Sequence, residues 1–219
     1  MEQNPFAPAF SELPQTLPVF PLTSALLLPG GQLPLNIFEP RYLQMVEDAL
    51  STNRMIGMIM PKAGQGDVEK PALEKTGCCG KIIDFSESPD GRYLITLSGV
   101  YRYNIAEELE TPKKYRIVKP DWSAYEGDHT RKTCLDIDRE ELKQLLKDYF
   151  KIHGMDCDWQ KVDTAGDEKL ITCLSMVCPF DPQEKQALLE AQCCKTRKDL
   201  FLKMLEFTVK TDHACSHKH

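Results

Sequence analysis

The sequence predicts an α+β protein in which a β-rich segment precedes a helical one. Up to about Trp122, short apolar runs are separated by Pro and Gly, a texture typical of strands and turns. After about Gly127, apolar residues recur at helical spacing behind residues that start helices. We therefore predict a β subdomain over residues 1–126, a helical subdomain over residues 127–210 and a disordered tail over residues 211–219.

Composition and charge argue against several classes of function. The 219 residues carry a formal charge of −6, and acidic and basic side chains are mixed in both halves. No basic face for nucleic acid or an anionic membrane is therefore expected. The N-terminus lacks the basic and apolar regions of a secretory signal, and no apolar run is long enough to span a membrane. We expect a cytoplasmic protein that binds neither nucleic acid nor membrane.

The β segment opens with two apolar runs that contain proline, LPVFPL (17–22) and LPLNIF (33–38), joined by the turn LPGGQ. Because proline cannot donate to a β-ladder, it is expected at edge, irregular or first positions of strands. Pro40 then suits the first turn of a helix. The apolar face predicted for this helix comprises Leu43, Val46 and Leu50.

A buried strand and a hairpin follow. The run MIGMIM (55–60) is short and continuously apolar, which is typical of a buried strand, and the polar residues 62–75 form a loop. KIIDFSES and RYLITLS are predicted to pair as a hairpin around the turn Pro89-Asp90-Gly91. The runs VYRYNIAEEL and YRIVKPDW complete the β segment as strands.

Helix-start signals recur in the second segment. Asp138 with Glu141 fits a capping box before LKQLLKDYF, and a second helix is predicted over residues 167–177. Asp181, Pro182 and Glu184 fit the N-cap, N1 and N3 positions of a third helix. A last helix is predicted to open near Thr196, so the segment resembles a small helical bundle. The apolar face predicted for the last helix comprises Leu200, Met204 and Phe207.

No motif for catalysis or for a cofactor is found. GCCGKI (77–82) comes nearest to a P-loop, but the gap between its glycines is too short, and Ile82 replaces the hydroxyl that would bind magnesium. The patterns GxGxxG and GxSxG are also absent. We therefore predict no catalytic residue, no cofactor and no enzymatic activity.

The nine cysteines include no CxxC pair. Without a secretory signal they are expected as reduced thiols that pack like small apolar residues. The terminal stretch HACSHKH offers weak candidates for adventitious metal binding and no dedicated metal site. These candidates are His213, Cys215, His217 and His219.

The charged trio Glu39-Pro40-Arg41 lies between two apolar runs and allows two interpretations. In the first, Glu39 favours the helix N-terminus, and Arg41 pairs with Glu39 or caps a nearby strand. In the second, both charges face a groove and hold a peptide backbone or a charged side chain. The trio alone favours the first interpretation, because charged residues are ordinary at such a junction.

The surroundings of the trio are more specific than the trio itself. The stretch from Leu17 to Tyr42 resembles the opening of the Lon N-terminal domain, in its stand-alone bacterial form without the rest of the protease. Further matches are GKIIDF (80–85), the PDGRY hairpin, GVYRY (99–103), PFDPQEKQALLE and RKDLFLKML. The resemblance covers about residues 13–208. TGCCGKI departs from the more usual VGTxARI.

This resemblance implies a PUA-like pseudo-barrel β subdomain followed by a small helical bundle. It also implies a non-catalytic module that binds unfolded polypeptide or a partner protein, within or beside a protease system, since separate ATPase and serine–lysine protease domains do the chemistry in full-length Lon. A peptide could add a strand to an open β edge or lie in the cleft between subdomains, and the proline-broken edges favour the cleft. Two alternatives stay open: a redox sensor using cysteines such as Cys78 and Cys79, and a small-ligand binder.

Overall fold

The computed structural model describes residues 8–64, 70–128 and 135–216, with side chains as far as Asp212. The chain separates into two compact units, residues 1–131 and 132–219. The first unit is β-rich and the second is helical, so the α+β class is confirmed. Asp128 lies in the first unit, slightly beyond the predicted boundary at residue 126. No helix among the described residues is both long and apolar enough to cross a membrane.

Strands dominate the described part of the first unit, and a single α-helix lies between the second and third strands. Short 3₁₀ turns cover Phe10–Glu12 and Ser123–Asp128 at its two ends. The elements in chain order are β1 (Leu17–Pro21), β2 (Gln32–Ile37), α1 (Pro40–Leu50), β3 (Met55–Ile59), β4 (Thr76–Glu87), β5 (Tyr93–Leu109) and β6 (Arg116–Asp121).

Five strands close into a hydrogen-bonded ring. Its neighbours run in the order β5–β4–β3–β1–β6 and return to β5, with β1 and β3 parallel and every other pair antiparallel. The 17-residue strand β5 pairs with β4 along most of its length and with β6 near its end. Its register with β4 shifts next to the Gly80–Gly99 pair. Such a shift bends a strand, which helps the ring to close. A Cβ on Gly99 would lie 2.1 Å from the Leu28 carbonyl oxygen, so only glycine fits there. The closed ring is compatible with a pseudo-barrel.

The strand β2 lies outside the ring, at the edge of the sheet. It pairs with the first half of β5, where Gln32 lies opposite Ser98 and Ile37 lies opposite Tyr93. Its Pro34 therefore occupies an edge strand, as expected. The strand β1 differs, since it is enclosed in the ring. Pro18 is tolerated there because parallel pairing with β3 begins only at the next residue.

The helix α1 begins at Pro40, as the sequence predicts, and the Glu39 carbonyl accepts hydrogen bonds from the Tyr42 and Leu43 amides. Its buried face differs from the predicted one, because Leu43 and Leu50 are only half-buried. The centre of the Tyr42 ring lies 4.3 Å from that of the Phe20 ring of β1, so the side of α1 that carries Tyr42 is the buried one. The buried residues of α1 are Tyr42, Met45, Val46 and Ala49.

The helices of the second unit begin mostly where the sequence predicts. The Asp138 carboxylate accepts hydrogen bonds from the Glu140 and Glu141 amides, and Asp181 forms a reciprocal capping box with Glu184. A short helix behind Asp158 was not predicted. The helices are α2 (Arg139–His153), α3 (Trp159–Thr164), α4 (Asp167–Val177), α5 (Pro182–Glu190) and α6 (Cys194–Ser216).

The last helix corrects two predictions. It continues to Ser216, so residues 211–216, which were expected in a disordered tail, are helical. Its buried face is also displaced by one residue from the predicted one, and Phe207 is 71% exposed. The Phe201 ring packs perpendicular to Phe180 at 5.7 Å, which orients the helix. The buried face comprises Arg197, Phe201, Leu205 and Val209.

Candidate functional site

The charged trio forms the junction between β2 and α1. Both Nε and Nη2 of Arg41 contact the Glu39 carboxylate, at 2.9 and 2.8 Å. The two side chains are 41% and 43% exposed, so their ion pair contributes at most about 1 kcal/mol to stability. The guanidinium also lies 4.6 Å from the centre of the Tyr42 ring. The structure thus contains the Glu39–Arg41 pairing of the first interpretation.

Arg41 also lines a cavity of about 210 Å³ within the β-rich unit. Its walls come from the end of β1, the start of α1, the chain after β3, the loop before β4 and the start of β6. Apolar surface is supplied largely by proline rings, and two tyrosines add aromatic surface. These wall residues are Pro21, Pro61, Pro71, Tyr42 and Tyr115.

Three cationic side chains line the same cavity: Arg41, Lys114 and Arg116. Arg116 holds the Glu108 carboxylate in a two-pronged contact at 2.9 and 2.6 Å, and its Nη1 donates to the Pro71 carbonyl oxygen at 2.6 Å. This arrangement fixes the wall at Pro71, and the hydrogen bond from Arg116 lowers the pKa of Glu108. Lys114 has no ion pair within the part of the chain that the structure describes.

The two tyrosines of the cavity differ in the hydrogen bonds of their hydroxyl groups. The Tyr115 hydroxyl donates to Asp48 at 2.7 Å and, with Lys113 at 2.9 Å, lowers the pKa of that carboxylate. Tyr42 is only 6% exposed as a whole residue, but its hydroxyl is not one of the buried side-chain atoms that lack a hydrogen-bond partner in the described part of the chain. Burial raises the pKa of Tyr42, and the neighbouring Arg41 opposes that rise.

A second surface of the β-rich unit is apolar. Phe38, just after β2, is 62% exposed, and Leu94 on β5 is 44% exposed. Leu94 lies opposite Asn36 of β2, so both apolar side chains stand beside the edge strand. Arg92 contacts the Phe38 ring at 5.9 Å from its centre. We call Phe38, Leu94 and the edge of β2 that faces away from β5, with which no other described strand pairs, the edge surface.

The cysteines singled out by the sequence lie in a strand. Cys78 and Cys79 are buried in β4, so GCCGKI is an interior strand and not a phosphate-binding loop. Burial raises the pKa of Cys79, the opposite of what a thiolate-based sensor requires. Among the described residues, no three His, Cys, Asp or Glu side chains are grouped to hold a metal ion. The side chains of His213, Cys215, His217 and His219 lie outside the described part.

Comparison with known proteins identifies the family of this chain. The family model of the substrate-binding domain of the ATP-dependent protease La (Lon) matches residues 16–206. This chain belongs to that family. The match is to the substrate-binding domain alone, which is non-catalytic, and it includes β1–β6 and most of the helical unit.

Relatives in the Lon family are much longer than this chain. It is 26% identical over 194 residues to the Lon protease of Flavobacterium johnsoniae, covering 85% of this chain and 23% of that protease. It is 30% identical over 105 residues to the Lon protease of Dictyoglomus thermophilum, covering 48% of this chain and 13% of the relative. The chain thus spans less than a quarter of the length of these two relatives.

Solved Lon N-terminal domains share the fold. A Lon N-terminal domain protein from Xanthomonas campestris has a TM-score of 0.58 and 23% identity, over 86% of this chain and 97% of that one. The N-terminal domain of the Lon protease from the Mycobacterium avium complex also has a TM-score of 0.58, with 17% identity over 90% and 99% of the two chains. The implied Lon N-terminal fold is confirmed.

Among the residues that line the cavity, only Arg41 stood out in the sequence as a candidate site residue. The basic run KKYR (113–116) was a visible signal, since it places two lysines and an arginine at the start of a strand. Nothing in the sequence places this run beside Arg41, because the contact depends on how β6 joins the ring. Phe38 was hidden in the same way, because nothing in the run LPLNIF distinguishes the exposed Phe38 from the buried Ile37 beside it.

Proposed function

We propose that this protein is a cytoplasmic, non-catalytic module that captures non-native polypeptide for a Lon-type proteolytic system. The main support for the proposal is the edge surface, which combines the outer edge of β2, paired with no other described strand, with exposed apolar side chains. Membership in the family of Lon substrate-binding domains supports the same function. ATP hydrolysis and peptide cleavage would be supplied by other domains or chains.

The edge of β2 offers main-chain hydrogen bonds to an added strand. The Gly99 amide donates to the Gly31 carbonyl at the start of the β2–β5 ladder. Alternation along an antiparallel ladder then directs the main-chain groups of Gln32, Pro34 and Asn36 away from β5. Pro34 lacks only its own N–H, so two donors and three carbonyls stay available. An extended polypeptide can add here by strand pairing.

The apolar part of the edge surface suits an unfolded chain. Burying an exposed Phe or Leu side chain contributes about 1.5–3 kcal/mol, so Phe38 and Leu94 together supply a useful part of a micromolar affinity. Main-chain pairing is independent of sequence, and non-native chains expose apolar residues in many sequence contexts. The combination therefore favours broad recognition of non-native polypeptide over recognition of one folded partner.

The proposal is tested with fluorescein-labelled α-lactalbumin that has been reduced and carboxymethylated, so that it stays unfolded. Fluorescence anisotropy gives its affinity for the whole protein. We expect the double variant Phe38→Ser/Leu94→Ser to bind at least about tenfold more weakly. We expect Asn36→Pro to weaken binding several-fold, because it removes an outward N–H and leaves the β2–β5 ladder intact.

Phe207→Ser is the matched control, since Phe207 is 71% exposed, at least as exposed as Phe38 and Leu94, but lies in the helical unit. It should bind like the unmodified protein, and all variants should melt within a few degrees of it. Unchanged affinity of the double variant, with an intact fold, would show that the edge surface does not capture polypeptide.

A further inference from the structure

We propose that the cavity beside Arg41 binds the carboxylate at the C-terminus of a captured polypeptide, together with its last side chain. This inference rests on the proposed function and adds to it the feature of the polypeptide that is recognised. The cavity lies on the same unit as the edge surface, but it is lined by other residues.

The polar side chains that line the cavity are mainly donors. Lys114 contributes an ammonium group, Tyr42 a hydroxyl and Arg41 the guanidinium N–H groups that Glu39 does not use. No carboxylate belongs to the cavity wall within the described part of the chain. A ligand that satisfies these groups must present acceptors, and a charged acceptor forms the strongest hydrogen bonds.

The charge around the cavity favours a single anion. Arg41 is paired with Glu39 and Arg116 with Glu108, and Lys70 shares the second carboxylate at 2.9 Å. Lys114 adds a positive charge for which the described residues supply no partner. The charged side chains around the cavity therefore carry more positive than negative charge, and one bound carboxylate would reduce this excess.

The position of Tyr42 gives the cavity a fixed hydroxyl donor. Tyr42 lines the cavity and is only 6% exposed as a whole residue. The ring is fixed against Phe20 and beneath the Arg41 guanidinium, so its position is set by packing. A ligand oxygen in the cavity can accept a hydrogen bond from this hydroxyl.

Size and wall chemistry distinguish a peptide terminus from other anions. A cavity volume of about 210 Å³ lies below the range of about 300–1,000 Å³ typical of pockets for drug-sized ligands, so it suits a small group such as one residue. Three wall residues are prolines, which lack the backbone N–H groups that usually surround a phosphate. The apolar rings instead suit an aliphatic side chain next to the carboxylate.

The test uses an N-terminally labelled pentapeptide that ends in Ala-Leu, prepared as the free acid and as the C-terminal amide. Anisotropy titrations are made with the whole protein. We expect the acid to bind at least tenfold more tightly than the amide. Lys114→Gln should lower the affinity for the acid peptide by about tenfold, and Tyr42→Phe should lower it by about threefold. Neither variant should change the affinity for the amide peptide.

Lys113→Gln is the matched control, because Lys113 adjoins Lys114 but pairs with Asp48 outside the cavity wall. It should leave the affinity for the acid unchanged. Equal affinities for acid and amide, or equal effects of the two lysine variants, would overturn the proposal. The edge-surface test with carboxymethylated α-lactalbumin would be unaffected, so failure here is distinguishable from failure of the proposed function.

Two competitors separate the possible sources of the anion. N-acetyl-leucine should displace the labelled acid, but more weakly than an unlabelled pentapeptide does, which supports a polypeptide terminus. If it competes as well as the peptide, the cavity binds free carboxylic acids and the assignment to polypeptide is overturned. Displacement by inorganic phosphate at the same concentration would identify a general anion site and overturn the carboxylate assignment.

Discussion

Arg102 shows how one residue fixes the end of the β-rich unit. Its Nε and Nη2 donate to the Asp128 carboxylate at 3.0 and 2.6 Å, and its backbone amide donates to the same group at 3.1 Å. The two side chains are only 4% and 7% exposed. The guanidinium lies 4.3 Å from the centre of the Tyr125 ring. Arg102 belongs to the GVYRY motif, and its contacts hold the turn Ser123–Asp128 against β5.

We predict that Asp128→Ala lowers the free energy of unfolding of the β-rich unit by about 3 kcal/mol, because it removes one side of a buried ion pair. The measurement is urea unfolding followed by Trp122 fluorescence in a Trp159→Phe background. Asp90→Ala is the control, since its ion pair with Arg92 is exposed to solvent and its loss should change the free energy of unfolding far less. Similar losses for both variants would contradict the structural role of Asp128.

The helix α6 shows the limit of periodicity at the level of one element. Two stripes of this helix are apolar, one through Phe201 and Leu205 and the other through Met204 and Phe207. Either could be buried on sequence grounds, and the predicted stripe was the wrong one. Packing selects Phe201 because Phe180 and the helix α2 face it, and Arg197 donates to the Leu188 carbonyl oxygen at 2.9 Å.

The two phenylalanines of α6 make a matched pair for measurement. Phe201→Ala should destabilise the helical unit by about 3 kcal/mol or more, because a fully buried ring leaves a cavity. Phe207→Ala should change the free energy of unfolding by less than about 0.5 kcal/mol. Urea unfolding followed by circular dichroism at 222 nm gives both values. The opposite ranking would mean that the stripe through Met204 and Phe207 is the buried one.

At the scale of the whole molecule, four of the seven cysteines whose side chains the structure describes pack as small apolar residues. Among the described cysteines, Cys78, Cys79, Cys178 and Cys194 are buried and Cys173 is exposed. Burial raises the pKa of Cys178 to about 12. A raised pKa and poor access both slow thiolate chemistry. The redox alternative stays a prediction, and thiol labelling tests it directly.

We predict that iodoacetamide labels Cys173 of the native protein rapidly. Cys78, Cys79, Cys178 and Cys194 should be labelled only as fast as the protein unfolds, because their thiols are buried. Mass spectrometry of tryptic peptides gives the rate for each residue, and labelling in urea provides the fully reactive reference. Rapid labelling of Cys78 or Cys79 in the native protein would favour the redox sensor instead.

The sequence by itself determined the features that depend on neighbouring residues. The capping residues Asp138 and Asp181, the helix start at Pro40 and the turn at Gly91 act within about four positions, so a local pattern is enough to locate them. The long match from Leu17 to Tyr42 likewise indicates the family through consecutive residues alone. The short helix α3 was not predicted, because six residues are too few to show the helical periodicity of apolar side chains.

Only the tertiary structure decided which distant surfaces meet. Closure of the ring by β6 brings Lys114 and Arg116 beside Arg41, and it leaves β2 as the open edge. The buried stripe of α6 was settled by its packing partners in the same way. Many local patterns are compatible with several packings of similar energy. The choice among them depends on side chains that are far apart in the sequence, and a local pattern carries no information about those contacts.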